Sequence, residues 1–218
     1  MDKIIALLIP AMVETIYMVI LSTVFATIMG LPIGLLAVIT DKNHIMEMPK
    51  LNKVLDGLIN IFRSIPFIIL MILVLPLSRF IVGTTIGSTA SIVPLSIAAA
   101  PFVARIVEGA VKEVDRGLLE ASISLGASRK DIILKVLIPE SLPSLIHGLT
   151  ITVITLVGYS AMAGAIGGGG LGDLAIRYGY QRFKLDIMIV SVASIIFLVQ
   201  GIQFLGDKIV YNIRKKRG

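Results

Sequence analysis

Charged side chains are missing from long stretches of this 218-residue chain and crowded into short ones. Residues 15–40 hold no charge. A helix of that length, rising about 1.5 Å per residue, crosses a hydrocarbon layer about 30 Å thick with room to tilt. Gly30, Pro32 and Gly34 fall late in it and predict a kink. A second apolar stretch, residues 57–78, contains Arg63, Pro66 and Pro76. The prolines predict local breaks. Arg63 either snorkels toward the preceding polar loop or faces a bundle interior, because an unpaired guanidinium in lipid is costly. Residues 88–104 predict a third span, continuing as a more polar helix through Arg105, Glu108 and Lys112, whose charges pair at i,i+3 and i,i+4. Residues 141–172 hold a charge-free fourth span and residues 187–206 a fifth.

The polar remainder divides into short pieces. Residues 1–14, with Asp2, Lys3, Pro10 and Glu14, predict an interfacial helix or a tether. The first long apolar stretch exceeds a signal-peptide core and is read as a mature span. Residues 41–56 form a loop, and residues 79–87 a short connection. The longest interruption is residues 115–139, which predicts two helices about a glycine corner. Asp115 caps the first. Leu118, Ala121, Ser122 and Leu125 share one face of it. Gly126 supplies a left-handed corner at no steric cost. Ser128 and Asp131 form a capping box for the second helix, and Pro139 is expected to stop that helix for want of an N–H.

The fourth span ends in small residues, Gly158–Gly172. Small side chains let helices approach closely, and non-helical backbone at membrane depth survives only inside protein or along a cavity. The stretch is therefore a candidate pathway wall, or a tight interface with an external glycine loop. Tyr159, Ser160 and Met162 are the candidate pathway residues. Met162 is the candidate gate, since an unbranched methionine can seal a gap and repack.

Composition agrees with the pattern. The chain is 56% hydrophobic and 16% charged, with mean hydropathy +0.95, where soluble domains carry about 25% charge. The class is an all-α polytopic membrane protein of about five transmembrane helices, one domain over residues 1–218. With the N-terminus outside, fourteen Lys and Arg fall on the inner side against five outside. That excess favours N-out and C-in, and puts residues 117–139 in the cytoplasm. There is no cysteine for disulfides or thiolate metal sites. His44 and His147 make no ligand pair at helical spacing. No phosphate loop or nucleophile–base–carboxylate set is visible. The basic tail reads as a topology determinant and lipid contact rather than a nucleic-acid site. Transport without an engine on this chain needs a partner or an ion gradient. A gradient-driven transporter or channel usually carries an acidic residue inside a span, and the predicted spans carry none in their buried portions.

The loop also resembles a family signature. Permease subunits of binding-protein-dependent ABC importers carry E-A-A-x3-G-x9-I-x-L-P. Here it reads Glu120, Ala121, Ser122, Gly126, Val136, Ile138 and Pro139, with serine, valine and isoleucine as the three departures. Asn60–Leu70, Val93–Arg105, Thr155–Gly172 and Gln203–Asp207 are similar to the methionine-importing branch of that family. The resemblance implies a type I importer permease working as a homodimer in the bacterial inner membrane. Two copies of a separate ATPase, carrying ATP and Mg, would bind inside. An extracytoplasmic binding protein would dock outside. Leu118, Glu120, Ala121, Leu125, Gly126 and Pro139 would couple this chain to the ATPase, and no cofactor or metal would sit on the chain. Methionine is the substrate implied, with another polar amino acid or small solute as the alternative.

Overall fold

The computed structural model describes residues 2–42 and 44–216. The side chain of Lys3 and all of Arg217, both counted in the charge balance, lie outside the described residues. Nine α-helices occur among the described residues, and no strand. They are α1 (Asp2–Ile39), α2 (Pro49–Ser64), α3 (Phe67–Val82), α4 (Ser88–Lys112), α5 (Arg116–Ser124), α6 (Arg129–Asp131), α7 (Ile138–Gly164), α8 (Gly170–Leu174) and α9 (Leu185–Lys215). Two π-helical turns, Ile132–Leu137 and Ala175–Tyr180, join α6 to α7 and extend α8.

Four stretches are long and apolar enough to cross a membrane alone, and a fifth forms if α2 and α3, bent by 104° at their break, act as one. The contacts at each end decide that α2 and α3 form a crossing rather than a re-entrant loop. The start of α2 is held to the end of α1, where Asn52 Nδ2 donates to the Ala37 carbonyl at 2.6 Å and the Met48 N–H to Thr40 at 3.0 Å. The segment after α3 is held to the far end of α7, where the Gly87 N–H donates to the Gly167 carbonyl at 2.9 Å. The α2–α3 unit therefore starts at one end of the bundle and finishes at the other.

Sterics explain where α1 meets α4. Gly30 and Gly34 stand one helical turn apart. A β-carbon on Gly30 would lie 2.5 Å from the Ala100 carbonyl and 2.7 Å from Val103 Cβ. One on Gly34 would lie 2.7 Å from Val107 Cβ and overlap the Ala104 carbonyl. The small–xxx–small spacing lets the two backbones touch. The helix continues through Gly30, Pro32 and Gly34 to Ile39, and its glycines serve packing. Met18, Val38, Leu95, Val103, Leu137, Leu156 and Val157 fill the space between α1, α4 and α7. Hydroxyls along the crossings bond back to their own helices, Thr23 to Val19 and Thr152 to Gly148 among them. In lipid those groups have no water to satisfy them.

Three boundaries differ from expectation. Residue 1 lies outside the described residues; within the stretch read as a separate interfacial helix or tether, residues 2–14 are neither, because α1 begins at Asp2 and runs unbroken. Its early turns are paired with α8 and α9, with Ala11, Leu171, Leu174 and Ile187 buried together. The loop at 41–56 is helical from Pro49, where proline fits the first turn. Pro139 does not stop its helix. The wider π-helical turn just before it relieves the i−4 clash, and the chain runs on to Gly164.

Candidate functional site

At the end of the bundle where α4 finishes, the chain makes a stiff elbow. Asp115 Oδ1 accepts from the Gly117 and Leu118 N–H groups at 2.6 and 3.3 Å, capping α5. The helix is pinned by one side chain, Leu119, which is buried with Val111, Ile132 and Leu137. Its other end closes in a Schellman turn. The Gly126 N–H donates to Ile123 and the Ala127 N–H to Ser122, at 2.9 and 3.1 Å. Gly126 sits at φ +78°, in the left-handed region. Ser128 Oγ then accepts from the Asp131 N–H at 3.2 Å, and Asp131 pairs with Lys135 at 2.6 Å. These caps and the Schellman turn hold the angle between α5 and the helix returning to the bundle.

The elbow presents an exposed apolar face. Leu118 is 42% exposed and Leu125 88%, with Ala121 also exposed on that face, while exposed Ile123 lies on the other side of α5. Glu120 is exposed on the flank. Its carboxylate looks toward a cavity of about 570 Å³ shared with Lys42, His44, Lys112 and Arg116. A second cavity of about 210 Å³, lined by Glu113, Leu118, Glu140 and Ser144, flanks the other side of α5. Pro139 is half-buried at the start of α7 rather than at the tip of the elbow.

A charge ladder anchors the elbow to the bundle. Arg105 pairs with Glu108 at 2.5 Å and with Asp56 of α2 at 3.2 Å, and donates to Asn60 at 2.9 Å. Lys112 joins Glu108 at 2.9 Å to Asp41 at 2.8 Å. Glu108 is buried and carries a cation on each oxygen, as a buried carboxylate requires. The Lys112 ammonium holds the Asp41 carboxyl below its ordinary range, against a smaller opposing effect of burial. The helical spacing of Arg105, Glu108 and Lys112 is legible in the sequence. The long-range partners Asp41, Asp56 and Asn60 are not.

The structure separates the candidate pathway residues. Tyr159 is stacked on Phe67 of α3, with centroids 4.1 Å apart and planes 7° from parallel. Met162 is 42% exposed and free on the surface of α7. Ser160 differs from the other two in its surroundings. It is 2% exposed, turned into the protomer, with its hydroxyl on the Val157 carbonyl of its own helix. Residues 158, 159 and 162 reach the outside of α7 while Ser160 lies a third of a turn away.

The glycine stretch is a close-packed turn. Gly167, Gly169 and Gly170 have φ of +88°, +78° and +77°. β-Carbons at Gly164 and Gly172 would overlap the backbone of α8 and of α7, so the two helices touch there. Two side chains of α1 cap α8 from 156 residues away. Glu14 Oε2 accepts from the Gly170 N–H at 2.7 Å, and Thr15 Oγ1 from the Leu171 N–H at 2.9 Å. The tight interface with a glycine turn is observed at 158–172, and it is compatible with the same stretch walling a pathway. Glu14 carried a signal only as a charge beside a span.

A multi-pass α-helical bundle with a rigid, apolar-faced elbow at one end is the class of a transport permease. The chain belongs to the family of inner membrane components of binding-protein-dependent transport systems, whose model matches residues 30–217. A probable D-methionine transport system permease protein of Vibrio cholerae is 49% identical over 207 residues, covering 95% of this chain and 92% of the relative. A methionine import system permease protein of Bacillus subtilis is 49% identical over 179 residues, covering 82% and 80%. A solved inward-facing structure of the MetNI methionine ABC transporter superposes with TM-score 0.96 at 46% identity, covering 98% of this chain and 99% of that one.

Proposed function

We propose that this chain is the permease of a methionine ABC importer. Two copies form the pathway, and each engages one ATPase subunit that carries ATP and Mg. The observation that carries the reading is the elbow, with its capped helix, glycine corner and exposed apolar face, in a chain that matches methionine permeases nearly end to end. Leu118, Ala121 and Leu125 would fill a groove on the ATPase, as an amphipathic helix does in a partner. Glu120 would meet a basic group at the rim. Because Gly126 and the caps hold the corner angle, displacement of α5 moves α7 as a unit. ATP can shift the permease only through contacts that differ between the two states. Tyr159 and Met162 would line the pathway, with Met162 as a gate.

The excess of Lys and Arg at the α5 end supports an N-out, C-in orientation, with the ATPase inside and a substrate-binding protein outside. Impermeant amine labelling of Lys50 from outside intact cells would reverse that orientation. For the function, the permease, ATPase and binding protein are reconstituted together in vesicles. Methionine accumulates only with ATP and the ATPase if the reading holds. Accumulation driven by an imposed ion gradient without the ATPase overturns it.

A further inference from the structure

The break between α2 and α3 contains an unpaired cation. Arg63 lies in the last turn of α2, and Ile65, with extended backbone at ψ 124°, carries the chain through the 104° bend into α3. Irregular backbone within a crossing is tolerated where it lines a cavity. Here it does. A cavity of about 190 Å³ opens at the break, walled by Phe62 and Arg63 of α2, Phe67 and Leu70 of α3, Phe102 of α4 and Tyr159 of α7. Four elements from distant parts of the chain converge on it. That volume equals about six times the ~30 Å³ share of one liquid water, the scale of a small metabolite.

Arg63 differs from the cations along α4. Arg105 and Lys112 there each face a carboxylate within 3.2 Å, whereas Arg63 of α2 and Arg79 of α3 face none among the described residues. Arg63 has no hydrogen bond or ion pair among the described residues, and no acidic side chain lines its cavity. Arg63 is exposed as well as lining the cavity, so its guanidinium is accessible to an anion that enters there. The rest of the cavity selects what the anion is attached to. Phe67 and Tyr159 form a stacked pair beside Arg63, with Phe62 and Phe102 as further aromatic walls.

We propose that this cavity is a transient binding site for the transported amino acid. It rests on the importer reading above. The Arg63 fork holds the α-carboxylate with two parallel N–H donors. Aromatic faces meet the α-ammonium, since the site offers no carboxylate to pair with it. The remaining walls take an apolar, unbranched side chain, and a thioether sulfur gains from ring edges. Tyr159 therefore contributes to recognition as well as lining the pathway. A site built this way rejects analogues that lack the carboxylate, because Arg63 would be left unpaired.

The chain has no cysteine, so one placed at Ala98, on the cavity wall, is a unique reporter. Maleimide labelling of Ala98→Cys is followed in the assembled permease–ATPase complex in lipid nanodiscs. L-methionine should slow labelling at least fivefold, and methioninamide should not. Arg63→Gln should abolish the protection, and Arg63→Lys should keep part of it. Tyr159→Leu should weaken it, which gives a second arm if Arg63→Gln fails to assemble. Protection that persists in Arg63→Gln, or labelling indifferent to methionine, overturns the site. Labelling that responds to phosphatidylglycerol but not to methionine assigns Arg63 to a lipid phosphate instead and also overturns it. Vesicle uptake by the unsubstituted complex is measured in parallel. If that complex imports no methionine, the functional reading fails, whereas normal import without protection removes only this site.

Discussion

Gly126 tests whether the elbow transmits force. Its φ is +78°, and a β-carbon placed there would meet nothing within 4 Å. The whole cost of a substitution is therefore backbone conformation, with no steric clash to confuse it. A β-carbon in the left-handed region costs about 1–2 kcal/mol. That shifts the corner toward other geometries by about 5- to 30-fold. Asparagine tolerates the region, alanine does not, and valine is worst because its Cβ is branched. Import per ATP hydrolysed in vesicles should then fall in the order Gly126→Asn, Gly126→Ala, Gly126→Val. Complex assembly should be unchanged, because Leu119 and the Asp115 cap still seat α5. Stimulation of ATP hydrolysis by the binding protein should weaken in the same order. If Gly126→Val imports at the unsubstituted rate with normal stimulation, a stiff corner plays no part in coupling and the elbow is only a connector.

Cysteine at Met162 should cross-link between two copies in one nucleotide state only, whereas cysteine at buried Ser160 should cross-link in neither; equal yields at Met162 in all states would remove the gate. Gly172→Val drives a side chain into the Ala161 backbone and should cost about 1–3 kcal/mol or more, read as a lower melting temperature of the purified complex, while Gly158→Val, with open space around it, should not. His44 gives a pH signature. Burial lowers its pKa below the ordinary 6.5, Asp41 opposes, and Arg116 and Lys112 lower it further. Its stabilising contribution is complete above 6.5 and is lost as pH falls below that value, where the unfolded chain takes the proton first. Melting temperature should therefore drop from about pH 7.5 to about pH 5.5, and His44→Asn should remove that part of the drop.

Much of this protein is written locally. Charge-free runs of the right length fix the crossings, because a helix in lipid must be apolar over a set number of residues. The elbow is equally local. Asp115, Gly126, Ser128 and Asp131 each satisfy a backbone group within a few residues, so sequence spacing specifies the caps and the turn. Pairing along α4 was readable for the same reason. What the tertiary structure alone decided depends on partners far apart in the chain. The role of Gly30 and Gly34 as the contact surface for α4 shows only when α4 is seen against them, although their spacing is that of a helix–helix contact. Glu14 and Thr15 read as the edge of a span until α8 arrives to be capped. Pro139 reads as a stop because sequence reasoning assumes an α-helical turn before it, and the π-helical turn was not foreseen. Ser160 differs from Tyr159 by one residue, yet Ser160 is buried in the protomer while Tyr159 is half-buried against Phe67. Arg63 shows the limit most plainly. Its cost in a membrane is evident from the sequence, but the aromatic walls that give it a use come from four helices that only folding brings together.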